Sequence, residues 1–142
     1  MLISTDSVRT LSETLQSSTE TFCSGLYLSA RWFVVSQLGY DDVQLIVLPD
    51  KDSAEYCAAD LYNLIDGDLV FFLPDSGKSL EKSNYKSSLG VQRTSAVGKI
   101  IDHDGGPFYI VTYPSALSEL IPDAGKISGS VLKVSVGDDI PH

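Results

Sequence analysis

Basic residues are scarce in this chain of 142 residues: ten Lys and Arg stand against 19 Asp and Glu, giving a formal charge of -9 and a pI near 4.4. Affinity for a duplex comes mostly from phosphates neutralised by Lys and Arg, so an acidic chain of this kind is a poor candidate for autonomous DNA or RNA binding. Long apolar runs are also missing. Runs such as Leu69–Leu73 and Trp32–Val35 fall far short of the roughly 20 residues of a membrane span, so a soluble chain with no membrane partner is expected. Cysteine is limited to Cys23 and Cys57, whose separation is no metal-ligand spacing. With no signal peptide to read, a reduced cytoplasmic compartment is the expectation. Histidine is limited to His103 and His142. A Ser-His-Asp or Cys-His nucleophile would have to use His103, and nothing places Ser or Cys beside it; His142 is terminal and expected to fray.

What is present is 43% apolar content, enough for one domain to bury a single core without disulfides. Thr5 or Asp6 can cap a first helix whose Val8, Leu11 and Leu15 make a narrow stripe, so residues 1–20 read as a peripheral element. "TFCSGL" reads as a short strand leading into Gly25, and "YLSARWFVVSQL" as a largely buried helix ended by Gly39. "VQLIVLP", Val43 to Pro49, is a continuous apolar run suited to a strand covered on both faces. "DKDSAEYCAADLYNLI" opens with Asp52 and Glu55 in capping-box spacing and carries Ala54, Cys57, Ala58, Leu61 and Leu64 at helical intervals. "LVFFLP" is another covered strand, Gly90 to Ile101 a helix ended by "DHDGG", and "PFYIVTY" a third apolar strand. Pro114 suits the first turn of the helix "PSALSELI", and "SGSVLKVSVGDD" alternates as a last strand. Strand and helix alternate about four times, which predicts a mostly parallel sheet with helices on both faces and an α/β core over 21–136. Residues 137–142 read as an exit toward a following domain.

The Gly77-Lys78-Ser79 triplet follows an apolar strand, as the end of a phosphate-binding loop does. In the full G-x-x-x-x-G-K-[ST] loop the first glycine makes a sharp turn that lets N–H groups wrap the phosphates. Counting back five from Gly77 lands on Phe72, inside the strand, and Ser79 to Ser88 is polar and unpatterned. The triplet therefore reads as a solvated loop. In a doubly wound sheet ligands sit at the carboxyl ends of strands, which here means Gly25 to Ser29, Pro49-Asp50, Pro74-Asp75 and Thr112-Tyr113. Asp50 and Asp75 could hold a metal ion in a small nucleotide- or metal-dependent hydrolase. An aspartate after a strand more often caps the next helix or turn. The "LPD" aspartates also suit a phospho-accepting signalling domain, but "VTYP" supplies no lysine at a later strand end. His103 between Asp102 and Asp104 could catch a divalent ion, or simply end a helix. Arg93 reads as a solvated helix charge or as a contact for a partner or a phosphate.

Taken in order, "GLYLSARWFVVSQL", "LIVLPDKDSAEYCAADLYNLI", "VFFLPDSGKS", "LGVQRTSAVGKI" and "FYIVTYPSALSELIP" resemble the N-terminal region of the bacterial transcription-repair coupling factors. That region is itself similar to the first domain of the excision-repair subunit UvrB. The resemblance spans about Ser18 to Val136 and rests on the order and spacing of segments. It implies a three-layer, RecA-like fold. Set against the UvrB-type loop G-x-T-G-S-G-K-T, Gly25 keeps the first glycine and Ser29 the serine. Tyr27 stands at the threonine, Leu28 and Ala30 at the second and third glycines, Arg31 at the lysine, and Trp32 at the hydroxyl residue that would hold magnesium. ATP binding is therefore expected to be absent or very weak, with no catalytic residue and no cofactor in this piece; ATP and magnesium belong to the motor of the parent protein. On the same match Arg93 is the counterpart of a helix arginine. Such a parent is an ATP-dependent DNA translocase that displaces stalled RNA polymerase. It recruits UvrA through a domain adjacent to this one, and meets DNA and polymerase through later domains. This piece would act as a scaffold among those domains.

Overall fold

The computed structural model describes residues 5–38, 41–77 and 85–121. The expected last strand, the exit segment 137–142, Lys78 and Ser79 lie outside them. So does most of the loop from Lys78 to Lys86. Five α-helices, one 3-10 turn (Gly67–Leu69, between α3 and β2) and three strands are described, in the order α1 Thr5–Ser17, α2 Ala30–Gln37, β1 Gln44–Val47, α3 Lys51–Leu64, β2 Val70–Phe72, α4 Tyr85–Asp102, β3 Tyr109–Thr112 and α5 Pro114–Leu117.

The strands form one parallel sheet in the order β1-β3-β2. Registers are set by Ile46 beside Val111 on one side and Phe72 beside the same Val111 on the other. Because side chains alternate along a strand, Ile46, Val70, Phe72 and Val111 share one face, where Ala54, Cys57, Ala58 and Leu61 of α3 pack with Trp32 of α2. The opposite face carries Leu73 and Ile110, which pack with Ala96, Val97 and Ile101 of α4. The chain crosses β3 outward on the α3 side and returns on the α4 side. Opposite directions on opposite faces give both crossovers the same hand. The molecule is thus a mixed α/β protein with a small three-stranded parallel sheet and helices on both faces.

Five expectations are corrected. "TFCSGL" forms no strand: residues 20–24 have no regular structure and Phe22 is 89% exposed. β1 is not covered on both faces. Among the described residues it lies at the sheet edge, and because α4 packs over β2 and β3, Leu45 and Val47 on that face are about half exposed. The helix after β1 is capped by Asp50, not by an Asp52–Glu55 box: the Asp50 carboxylate accepts from Ser53 N at 2.8 Å. α2 is also shorter than the segment read for it and exposes Phe33, while Trp32 and Val34 are buried. α4 starts already at Tyr85.

Candidate functional site

Gly25 and Leu28 both turn the chain through positive φ, +80° and +50°. For glycine this is free, but for leucine it costs on the order of 1 kcal/mol. The Leu28 side chain recovers nothing by packing, since it is 83% exposed. Leu28 and Ser29 then form the turn that opens α2: Ala30 N donates to Tyr27 O at 3.1 Å, while Trp32 N and Phe33 N both donate to Ser29 O at 3.1 Å. These amides, which in a phosphate loop would face a ligand, are spent on the chain's own carbonyls. Trp32 is 8% exposed and belongs to the main core cluster. Arg31 lies on the surface with its guanidinium 4.9 Å above the Trp32 ring and its Nε donating to Leu28 O at 3.3 Å.

The start of α2, the exit of β1 and the outer face of α3 enclose a cleft of about 450 Å³ lined by Leu28, Arg31, Trp32, Pro49, Tyr56 and Asp60, among others. Tyr27 and Tyr56 are 79% and 76% exposed. Beneath the cleft, Cys57 is fully buried in the core. Burial pushes its thiol up to about 12, with Asp60 adding to the rise and Arg31 opposing it. Six of the seven residues of the sequence-read loop thus lie in one short stretch from Tyr27 to Trp32, four of them in the cleft wall. Tyr56 and Asp60 were not foreseen as part of it, because on the sequence they are outward positions of an ordinary amphipathic helix.

Arg93 is not solvated: it is 7% exposed and engaged within the chain. Nη1 donates to Pro74 O at 2.7 Å and Nη2 to Glu119 O at 3.2 Å, and Nε lies 3.3 Å from Glu119 Oε2. Glu119 also accepts from Ser76 N and Ser76 Oγ. Asp75 N donates to the buried Tyr113 hydroxyl, which burial shifts upward, and the Asp75 carboxylate accepts from Gly77 N and Ser115 Oγ. This network ties α4 to the exits of β2 and β3. Tyr113 is one of the strand-end positions read from the sequence, whereas Glu119 has no sequence signal, since nothing in "TYPSALSEL" marks a glutamate that turns back into the fold.

Asp50 is exposed, and the amide and hydroxyl of Ser53 hold its carboxyl below the usual range. Asp50 and Asp75 therefore act as helix cap and turn closure. His103 packs against Phe108 and Phe71, with ring centroids 4.7 and 5.8 Å away. Its Nε2 is buried without a hydrogen-bond partner among the described residues. Among those residues no group of three His, Cys, Asp or Glu is arranged to hold a metal ion, and no helix is long and apolar enough to cross a membrane. No family model, curated protein or solved structure matches the chain.

Proposed function

We propose that the chain is a non-catalytic, UvrB-like domain of a transcription-repair coupling factor, a degenerate RecA-like unit that serves as a scaffold. The observation that carries this reading is the loop from Gly25 to Trp32. Its backbone keeps positive φ at Gly25 and at Leu28, the position where the UvrB-type loop has its second glycine, while the side chains that would serve a nucleotide are gone. Trp32, at the magnesium-ligand position, is a core residue, and the amides of Ala30, Trp32 and Phe33 are bonded to the chain's own carbonyls. A phosphate loop works by presenting free N–H groups and a metal anchor. Here the same turn instead packs a tryptophan under an arginine. The domain hydrolyses nothing, and its cytoplasmic role is positional. It contributes surfaces to the domains of its parent, of which the adjacent one meets UvrA and later ones meet RNA polymerase and DNA.

Calorimetry with magnesium-ATP, followed in parallel by Trp32 fluorescence, tests the reading. The expected result is no saturable binding up to millimolar nucleotide. Micromolar binding that Arg31→Ala abolishes would overturn it, as would a salt-sensitive sub-micromolar affinity for duplex DNA.

A further inference from the structure

The cleft between α2 and α3 carries two charges of opposite sign that do not meet. Arg31 spends its Nε on Leu28 O and stacks over Trp32. Its two terminal nitrogens have no carboxylate within ion-pair distance among the described residues. Asp60 lines the same cleft and has no cationic partner among those residues. Both lie near enough to Cys57 to act on its thiol in opposite senses, which puts the two charges at one end of the core. Between and around them stand Leu28, Tyr56 and Tyr27, each more than three quarters exposed. Exposed Tyr with Arg and Trp is the composition of interface hot spots. A contiguous exposed apolar patch rimmed by polar groups is itself the mark of a recognition surface.

The charge pattern decides between occupants. A nucleoside triphosphate brings several negative charges and finds, among the described residues, a single cation in the cleft lining together with an aspartate. A purely acidic peptide meets the same repulsion at Asp60, and a purely basic one at Arg31. A segment carrying both signs satisfies both walls, and an apolar side chain between them covers Leu28 and Tyr56. We propose that this cleft docks an extended protein segment in which an acidic residue, set against Arg31, and a basic residue, set against Asp60, flank an apolar one. The proposal rests on the scaffold reading and names the kind of partner surface that the scaffold holds. Leu28 then has a use for its conformation: positive φ lifts an aliphatic side chain into the contact at the expense of local strain.

The test uses the full 142-residue chain and a displayed library of random heptapeptides, with counter-selection on the double charge-reversed variant Arg31→Glu, Asp60→Lys. Synthetic peptides made from the selected sequences are titrated against native protein and against each single variant. Near-UV circular dichroism of Trp32 confirms that the variants keep the native packing. The expected outcome is enrichment of peptides holding an acid, an apolar residue and a base. Binding weakens about tenfold or more in each single variant, and the double variant prefers peptides with acid and base exchanged. Absence of enrichment overturns the proposal. So does selection of peptides of one charge sign, or selected peptides that bind the variants as well as the native chain. The nucleotide titration separates the two readings. No ATP and no peptide binding removes only the docking surface, whereas tight ATP binding removes the scaffold reading as well.

Discussion

Removing the Arg93 side chain tests whether the network at the β2 and β3 exits holds the fold together. In Arg93→Met the methylene stem is kept and the fork is lost, so the change isolates the polar contacts. Three contacts disappear: the 2.7 Å bond to Pro74 O, the 3.2 Å bond to Glu119 O and the 3.3 Å ion pair with Glu119. The Arg93 and Glu119 side chains are only 9% and 20% exposed, so water replaces little of what is lost. Removing one member of a buried pair typically costs 3–5 kcal/mol. Glu119 keeps its bonds from Ser76 and so is not left bare, which places the expectation at the lower end, about 3 kcal/mol. An unfolding entropy of about 2.1 cal/mol/K per residue gives roughly 0.3 kcal/mol/K for a chain of this length, so Tm should fall by about 10 °C. Urea titration followed by circular dichroism gives the free energy directly. Glu119→Gln, alone and combined with Arg93→Met, completes a double-mutant cycle whose coupling should be about 1–3 kcal/mol. A loss below about 1 kcal/mol for Arg93→Met, or strict additivity in the cycle, would refute the claim that the latch is structural.

Asp50→Ala removes the cap of α3 and should lower Tm. Because its native carboxyl is held below the usual range, the stabilisation is present above the unfolded value of 3.8 and disappears as pH falls through the lower native value. The native and variant melting curves should therefore converge in acid, and a constant gap would count against the cap. Thiol titration of the native protein should label Cys23, which is exposed, and leave Cys57 untouched until the chain unfolds. The Cys57 thiol is raised from 9.0 to about 12. Above pH 9 the unfolded chain therefore loses that proton while the native one keeps it, and stability should drop by up to about 1.4 kcal/mol per pH unit until about pH 12. Cys57→Ala should flatten this slope between pH 9 and 10, below the range in which Tyr109 and Tyr113, also raised by burial, add a slope of the same sign, when the two proteins are compared by urea titration. Leu28→Gly should leave stability within about 1 kcal/mol of native, relief of the strained φ offsetting the added freedom of the unfolded chain. A larger loss would refute the view that the exposed Leu28 side chain contributes little packing to the fold.

The α/β alternation was legible because its signals are local. The apolar strands β2 and β3, the helical spacing of Ala54, Cys57, Ala58 and Leu61, and Pro114 at the start of α5 all declare themselves within a few residues. The misreadings came where tertiary context decides. "TFCSGL" has the composition of a strand but pairs with nothing, and "VQLIVLP" looks doubly covered although α4 reaches only its neighbours. A sequence window carries no information about which face a distant helix will reach. The solvated alternative for Arg93 fails for the same reason: a lone arginine on a helix gives no sign of burial until Glu119, far along the chain, supplies its partner. In the cleft, the stretch from Tyr27 to Trp32 could be picked out by its position ahead of a helix. Tyr56 and Asp60 reach it only because α3 packs against α2.

The strand order has a consequence for how the chain is made. Among the described residues β1 and β2 do not pair with each other; each is hydrogen-bonded to β3, the last of the three to be synthesised. A nascent chain that has reached Gly106 therefore carries the two outer strands of this sheet without the strand that lies between them. Val111 and Thr112, both fully buried, then enter as the middle of the stack and close both ladders in one step. Among the described residues, none of the native strand pairings of this sheet is available before residues 109–112 emerge.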